Sequence, residues 1–335
     1  EKNGGKAYEL LYANEELAQE AIDEYEATVI EKGDTVYRKV KMSVQPQISM
    51  VVMDQYTGEV KGILGGRGEK TGNLTLNRVT DAIRQPGSTF KVVAAYAPAL
   101  EAGGMTLATT QYDGPYLYEE GTDIRAVKNW IGYAYEGWTN LRRGIEQSMN
   151  ILAVKTYTQI GSALGLNYLD KFGFTTIQKT GTNTDYGPAV ALGGLTNGVS
   201  NLELTAAYAT IANGGVYQEP IFYTKVVDAQ GNVIIDKTVD RTTTEVLAKE
   251  TSWLLTSAMQ DVVSKGTGGA VAFKGMSIAG KTGTTTDDKD VWFVGYTPYY
   301  LAAVWTGYDT PRPVYSYGDP SATLWRKVMS KIHEE

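Results

Sequence analysis

The chain has 335 residues, 42% of them hydrophobic, enough for one large core or two smaller ones; its formal net charge is −7, and no Lys/Arg block of the kind a nucleic-acid groove needs stands out. It has no cysteine, which excludes thiol catalysis, disulfides and cysteine-ligated metals together. The single histidine is His333, so Ser-His-Asp hydrolysis and histidine-rich zinc sites are excluded by count, and an activated serine here needs a base other than imidazole.

In chain order, the sequence opens on Glu1-Lys2-Asn3-Gly4-Gly5 without an initiator Met or a signal peptide, and it is expected to be an excised or processed piece. No stretch reaches the ~20 apolar residues of a membrane span. Residues 13–31 carry Leu17, Ala18, Ala21, Ile22 and Tyr25 at helical spacing, with Asn14 as N-cap and Gly33-Asp34 as the stop. Pro46 ends an extended connection. Residues 48–53 and 59–64 predict a β-hairpin across Asp54-Gln55-Tyr56-Thr57-Gly58, and a Gly-rich polar loop follows to Asn77. Residues 89–100 predict a helix interrupted late by Pro98. Residues 106–140 are aromatic and Gly-rich with weak periodicity, and predict loops and short elements. Residues 141–160 read as a helix with Ile145, Met149, Leu152, Ala153 and Tyr157 on a shared side, 165–174 as a short helix and turn, and 201–211 as a helix stopped by Asn213-Gly214-Gly215.

The last third changes character. Residues 222–227 and 233–236 predict a second hairpin, and 243–263 a helix from Glu250 onward. Residues 277–279, 291–296 and 300–306 predict strands, and 322–329 a helix that closes over one sheet face. Strands at both ends with helices between predict an α+β domain, in which the early hairpin returns to pair with the late strands.

Three separated signals carry chemistry. In Ser88-Thr89-Phe90-Lys91 the serine and lysine stand at i and i+3, one helix face, behind Pro86 and the permissive Gly87. A lysine made neutral by desolvation could take the Ser88 proton, and the helix N-terminus would supply positive dipole near an oxyanion. The same residues also suit an N-cap serine followed by a solvent lysine. Ser148-Met149-Asn150 sits within a predicted helix, and only a break between helices would let both polar side chains reach a cleft while Met149 buries. Lys281-Thr282-Gly283-Thr284 reads as an edge strand open to β-augmentation, with Gly283 allowing close approach, or else as a flexible turn before the polar run 285–290. A second Lys-Thr-Gly-Thr, at Lys179 to Thr182, has no strand to carry it and is expected in a loop.

Taken together and in this order, the three signals form the signature set of penicillin-binding proteins and class A β-lactamases. The likeness goes further. Arg84-Gln85-Pro86-Gly87-Ser88-Thr89-Phe90-Lys91, Ala191-Leu192-Gly193-Gly194, Val199-Ser200, the run from Ala206 to Gly215, Gly280-Lys281-Thr282-Gly283-Thr284 and Trp292-Phe293-Val294-Gly295-Tyr296-Thr297-Pro298 resemble the transpeptidase domain of class A, high-molecular-weight penicillin-binding proteins. The middle triplet is Ser-Met-Asn rather than Ser-Asp-Asn, which keeps both polar positions.

The resemblance implies a penicillin-binding/β-lactamase-like transpeptidase fold over residues 48–330, with 48–80 and 215–330 carrying the sheet and 81–214 mainly helical. Residues 1–47 would be a linker after a glycosyltransferase module. It also implies a D-Ala-D-Ala transpeptidase without cofactor or metal. Ser88 would be the nucleophile and Lys91 its base, Ser148 would route the leaving-group proton, and Asn150 would hold the substrate amide. Lys281, Thr282 and Thr284 would hold its carboxylate along the Gly283 edge, and the N–H groups of Ser88 and Thr284 would form the oxyanion hole. The implied partners are peptidoglycan stem peptides, β-lactams and other cell-wall synthesis proteins, at the extracytoplasmic face of a bacterial membrane. A D,D-carboxypeptidase, a β-lactamase and a non-enzymatic β-lactam sensor share the first half of this chemistry, and a scaffold of the same fold with a dead site is a further alternative. The aromatic run 112–138 fits the wall of a donor cleft as well as a packed surface loop.

Overall fold

The computed structural model describes residues 11–40, 42–70, 72–120, 123–132, 134–239, 241, 243–314 and 318–334. The chain divides into two compact units, residues 1–45 with 67–75, and residues 46–66 with 76–335. Part of the expected linker, residues 1–10 and 41, lies outside the described residues. The first unit holds α1 (Glu15–Val29), whose N-terminus is capped by the Asn14 side chain accepting from Leu17 N at 2.8 Å. None of its residues is buried, and an Arg38–Glu26 ion pair ties the following segment back to it.

In the second unit, β1 (Gln47–Met53) and β2 (Val60–Leu64) form the expected hairpin, with a bulge at Val52/Met53. A helical run then begins as a 3₁₀ turn, Gly87–Thr89, widens to a π-turn over Val92–Tyr96 and ends as α2 (Ala97–Glu101). The helix expected over 89–100, with a late interruption at Pro98, is thus present as three helical forms. Pro98 is the cause to hand: it has no N–H for the turn before it, and its ring crowds the carbonyl of residue 94, so the ladder widens there. The short elements expected within residues 106–140 are strands. They form two antiparallel pairs, β3 (Thr110–Asp113) with the later β6 (Gly137–Asn140), enclosing β4 (Tyr116–Glu120) with β5 (Asp123–Val127).

The single helix expected over 141–160 is two, α3 (Leu141–Glu146) and α4 (Asn150–Ile160), separated at Gln147-Ser148-Met149. Next come α5 (Ser162–Lys171) and α6 (Asn201–Ala212), the latter opened by a capping box in which Ser200 and Glu203 satisfy each other's backbone N–H groups. Strands β7 (Val216–Gln218) and β10 (Thr243–Glu245) pair with each other and enclose the hairpin β8 (Lys225–Val227) and β9 (Val233–Asp236). Then follow α7 (Lys249–Ser264), β11 (Ala279–Thr284), β12 (Asp290–Tyr296), β13 (Leu301–Gly307) and α8 (Pro320–Ile332).

The main sheet runs β11-β12-β13-β1-β2, antiparallel throughout, so the first hairpin does return to pair with the last strands. Every residue of β12 and β13 is buried, because helices cover both faces. Alternation splits their side chains between two cores. Trp292, Val294, Tyr296, Ala303 and Trp305 face one side with Tyr208 of α6 and Met259 of α7; Phe293, Ala302 and Val304 face the other with Trp325 and Met329 of α8. Trp325 is wholly buried, meets Phe293 edge-on and donates its indole N–H to Ala302 O at 3.0 Å. Trp325→Ala should lower the unfolding free energy by about 3–5 kcal/mol without a change of slope in urea titration.

Candidate active site

The cleft is built where β11, the open edge of the main sheet, meets the turn that starts the first helical run. That turn is held from several directions. Arg84 exchanges both backbone hydrogen bonds with Val199 (2.9 and 2.8 Å). Gln85 uses its side chain twice on Leu195, donating to the carbonyl at 2.6 Å and accepting from the N–H at 2.8 Å, and its own carbonyl accepts from the Trp292 indole. Thr89 donates to Pro86 O, and Tyr208 donates to Thr89 O at 2.6 Å.

Glycines set how closely these parts approach. Gly87 has φ +54, a region that favours glycine, and a Cβ there would stand 2.8 Å from Thr284 O. A Cβ on Gly283 would stand 2.7 Å from Thr89 Cγ2 and 2.8 Å from Pro86 O, and one on Gly193 would stand 2.3 Å from Gly87 O. Gly193, Gly87 and Gly283 therefore let three backbone segments stack. The Lys-Thr-Gly-Thr segment lies within β11 and not in a turn, and its strand starts later than the sequence pattern predicts. Thr285 N donates to Asp290 O, so the antiparallel alternation turns the backbone groups of Thr282 and Thr284 away from β12, toward the free edge.

Ser88 is the middle residue of the 3₁₀ turn and is half-buried. Lys91, one turn on, is wholly buried. Among the described residues the Lys91 amine does not bond to Ser88. It donates to the Ser148 carbonyl (2.6 Å) and to Asn150 Oδ1 (2.5 Å), and lies 3.2 Å from Ser148 Oγ. Lys281, also wholly buried, donates to the same Ser148 hydroxyl at 2.7 Å and to Thr282 O at 3.0 Å. Thus Lys91, Ser148, Asn150 and Lys281 form one connected cluster, with Ser88 on the helical face next to it. Thr282 Oγ1 pairs with Thr267 Oγ1 at 2.8 Å, and Thr284 is exposed at the strand end.

The break between α3 and α4 makes this convergence possible. Ser148 has φ +53, strained for a non-glycine residue, while Met149 is extended and buried. The two polar side chains thereby reach one site although they stand at i and i+2. Asn150 is more occupied than its expected substrate-holding role suggests: its Oδ1 serves Lys91, and its Nδ2 donates to Lys128 O at 2.6 Å.

Burial lowers both lysines from the ordinary lysine value. Lys281 is pushed down to about 7. Lys91 is pushed well below its usual range, by burial first and by the nearby Lys281 charge second. A neutral Lys91 has two N–H groups, and two carbonyl oxygens take them. Its lone pair is left for a hydroxyl proton.

Several residues of the site lie outside the three motifs. Thr267 sits in Gly266-Thr267-Gly268, and a Cβ on Gly266 would stand 2.1 Å from Glu146 O, so this loop abuts the end of α3. That glycine pair was the available signal. Asn129, which reaches the break from the β3–β6 region, and Asp113, which holds Asn129, carry no local signal at all. The second Lys-Thr-Gly-Thr lies in a loop, where Lys179 pairs with Asp170.

Residues 48–330 match the family described as "Penicillin binding protein transpeptidase domain". The chain belongs to this family. It is 35% identical over 301 residues to penicillin-binding protein 1A of Clostridium botulinum, an alignment covering 87% of this chain and 35% of that protein, so the chain spans about a third of the relative's length. In fold it is similar to the crystal structure of penicillin-binding protein 1A from Haemophilus influenzae (TM-score 0.74, 24% identity, 87% of this chain and 48% of that one). It is also similar in fold to the PonA1 protein of Mycobacterium tuberculosis in complex with penicillin V (TM-score 0.72, 24% identity, 95% and 82%). The transpeptidase domain is of the serine transpeptidase/β-lactamase-like superfamily.

The lowered Lys281 has a measurable consequence. Between its folded value near 7 and the unfolded lysine range, the unfolded chain binds more protons, so stability rises with pH across that window. Wild type should gain a few kcal/mol relative to Lys281→Met as pH rises from about 7 to about 10, measured by urea unfolding of both proteins at each pH.

Proposed function

We propose that this domain is a peptidoglycan D,D-transpeptidase that works through an acyl-enzyme on Ser88. The observation that carries the reading is the cluster of Lys91, Ser148, Asn150 and Lys281, wholly or largely buried, beside a half-exposed serine at a helix start. Histidine is absent from it, and the low-lying Lys91 amine is a fitting base.

In this reading the Ser88 hydroxyl attacks the carbonyl carbon of the penultimate D-Ala of a stem peptide while its proton passes to Lys91. The carbonyl oxygen becomes an oxyanion held by the N–H groups of Ser88 and Thr284; the outward-turned backbone of Thr284 supports the second donor. The peptide C–N bond then breaks, and the terminal D-Ala amine leaves with a proton delivered from Lys91 through the Ser148 hydroxyl. Lys281, hydrogen-bonded to the Ser148 hydroxyl, keeps its own proton and presents positive charge toward the terminal carboxylate, together with the hydroxyls of Thr282 and Thr284 beside Gly283. One amide hydrogen of Asn150 remains for the substrate once Lys128 O has taken the other. An amine of a second stem attacks the Ser88 ester and gives up one proton to Lys91; the ester C–O bond breaks, and Lys91 passes that proton to the Ser88 oxygen. A β-lactam enters as donor, and opening its amide leaves an ester on Ser88 whose leaving group stays tethered.

The chain's share of its relatives' length supports a wider proposal. Residues 1–47 are a linker that follows a glycosyltransferase module, and 48–330 are the transpeptidase domain, with 81–214 mainly helical between the sheet-bearing parts. The intact protein is anchored at the extracytoplasmic face of a bacterial membrane, where stem peptides, β-lactams and other cell-wall synthesis proteins are its partners. Among the described residues no helix is long and apolar enough to cross a membrane.

Intact-mass measurement with and without a penicillin tests the chemistry. A stoichiometric adduct that maps to Ser88 and is lost in Ser88→Ala is expected, whereas equal labelling of that variant would overturn the assignment. Slow release of the adduct with transfer to an added amine supports the transpeptidase, and rapid hydrolysis a β-lactamase.

A further inference from the structure

We propose that Asn129, backed by Asp113, is a positioning residue for the acylation step: it fixes the start of α4 and, through Asn150, the Lys91 amine. The inference rests on the Ser88–Lys91 reading above and adds to it two residues outside the cluster.

A helix start leaves backbone N–H groups without partners, and a polar N-cap side chain ordinarily takes one of them. The N-cap of α4 is Met149, whose side chain has no oxygen to offer and is buried. Ser148, the next residue back, has its carbonyl on Lys91 and its hydroxyl between the two lysines. The break therefore cannot supply its own cap without giving up the cluster.

Asn129 supplies it from elsewhere in the fold. Its Oδ1 accepts from Asn150 N at 3.0 Å and from Ile151 N at 3.3 Å. Its Nδ2 donates to Asp113 Oδ1 at 2.9 Å, and Asp113 Oδ2 accepts from Glu136 N at 2.8 Å. Asn129 is 4% exposed and Asp113 is wholly buried, so each bond replaces water that neither side chain can reach. The neighbouring Lys128 carbonyl accepts from Asn150 Nδ2, so two adjacent residues hold Asn150 by backbone and side chain at once. The remaining end of that side chain, Oδ1, is the Lys91 acceptor. A displacement at Asn129 is thereby passed to the amine that takes the Ser88 proton.

A positioning role and a purely structural one separate in the kinetics of penicillin acylation. With full-length chain, Asn129→Ala should lose roughly ten- to a hundredfold in the rate constant for acylation, with the affinity of the preceding non-covalent complex changed by less than about twofold. Asn129→Asp keeps the acceptor but sets a carboxylate against Asp113, and should be similarly slow. Adding Asp113→Asn to it restores one donor and one acceptor to the pair, and the double variant should recover to within about threefold of wild type. A folded Asn129→Ala that acylates at the wild-type rate would overturn the proposal, as would a double variant no faster than Asn129→Asp. If Asn129→Ala does not fold, the Asp/Asn exchange decides alone. Wild type that fails to label at Ser88 would instead sink the reading on which this one rests.

Discussion

Two lysine side chains are brought together in fully buried space, and much of the cleft is arranged around that constraint. Among the described residues neither forms an ion pair with a carboxylate. Burial of an ammonium without a counter-charge is costly, and two in contact would be more so. The fold meets this with neutral oxygens: a carbonyl and a carboxamide for Lys91, a hydroxyl and a carbonyl for Lys281. These acceptors orient the amines without restoring the high affinity for protons that a carboxylate would give. A carboxylate in their place would hold Lys91 as ammonium, unable to accept anything.

Bringing Lys281 into this space requires a strand edge to lie almost against a helical turn. The Gly87, Gly193 and Gly283 positions permit it, since a Cβ at any of them would fall within 2.8 Å of a neighbouring atom. Among the described residues the arrangement leaves the outer edge of β11 without a partner strand, beside Ser88. In the proposed function, an extended peptide would add to the strand with its carbonyl over the serine. Packing closeness and chemistry are here the same fact: the contact that seats the strand also sets the distance from Thr284 to Ser88.

How far the sequence could be read depends on the range of the interaction. The early hairpin, α6 and the late strands follow from local periodicity and turn residues, and they appear close to where those signals lie. The π-turn before Pro98 and the break at Ser148 do not follow from periodicity, because apolar spacing runs on through both: Ile145, Met149 and Leu152 are all buried across the interruption. Of the site, Ser88, Lys91, Ser148, Asn150 and Lys281 were legible as motif residues, yet their connectivity was not. Spacing suggests Lys91 bonded to Ser88, while the bonds formed run to a segment 57 to 59 residues away. Asn129 and Asp113 had no pattern to announce them, since a capping residue is recognisable only when it is local to its helix.

The cap of α4 is imported for a physical reason. A local cap at position 149 would place a polar side chain where the core needs Met149, and would compete for the N–H groups of α4 with the same geometry that turns Ser148 inward. Delegating the cap to Asn129 frees position 149 to pack and position 148 to hold its strained φ. Strain at a non-glycine residue of that kind costs on the order of 1 kcal/mol and persists only if its surroundings over-determine it. Here the surroundings are specific: Met149 N bonds back to Gly144 O at 2.9 Å on one side, and Asn129 fixes Asn150 and Ile151 on the other. The serine between them has little conformational freedom left, and its hydroxyl is held where the two lysines meet.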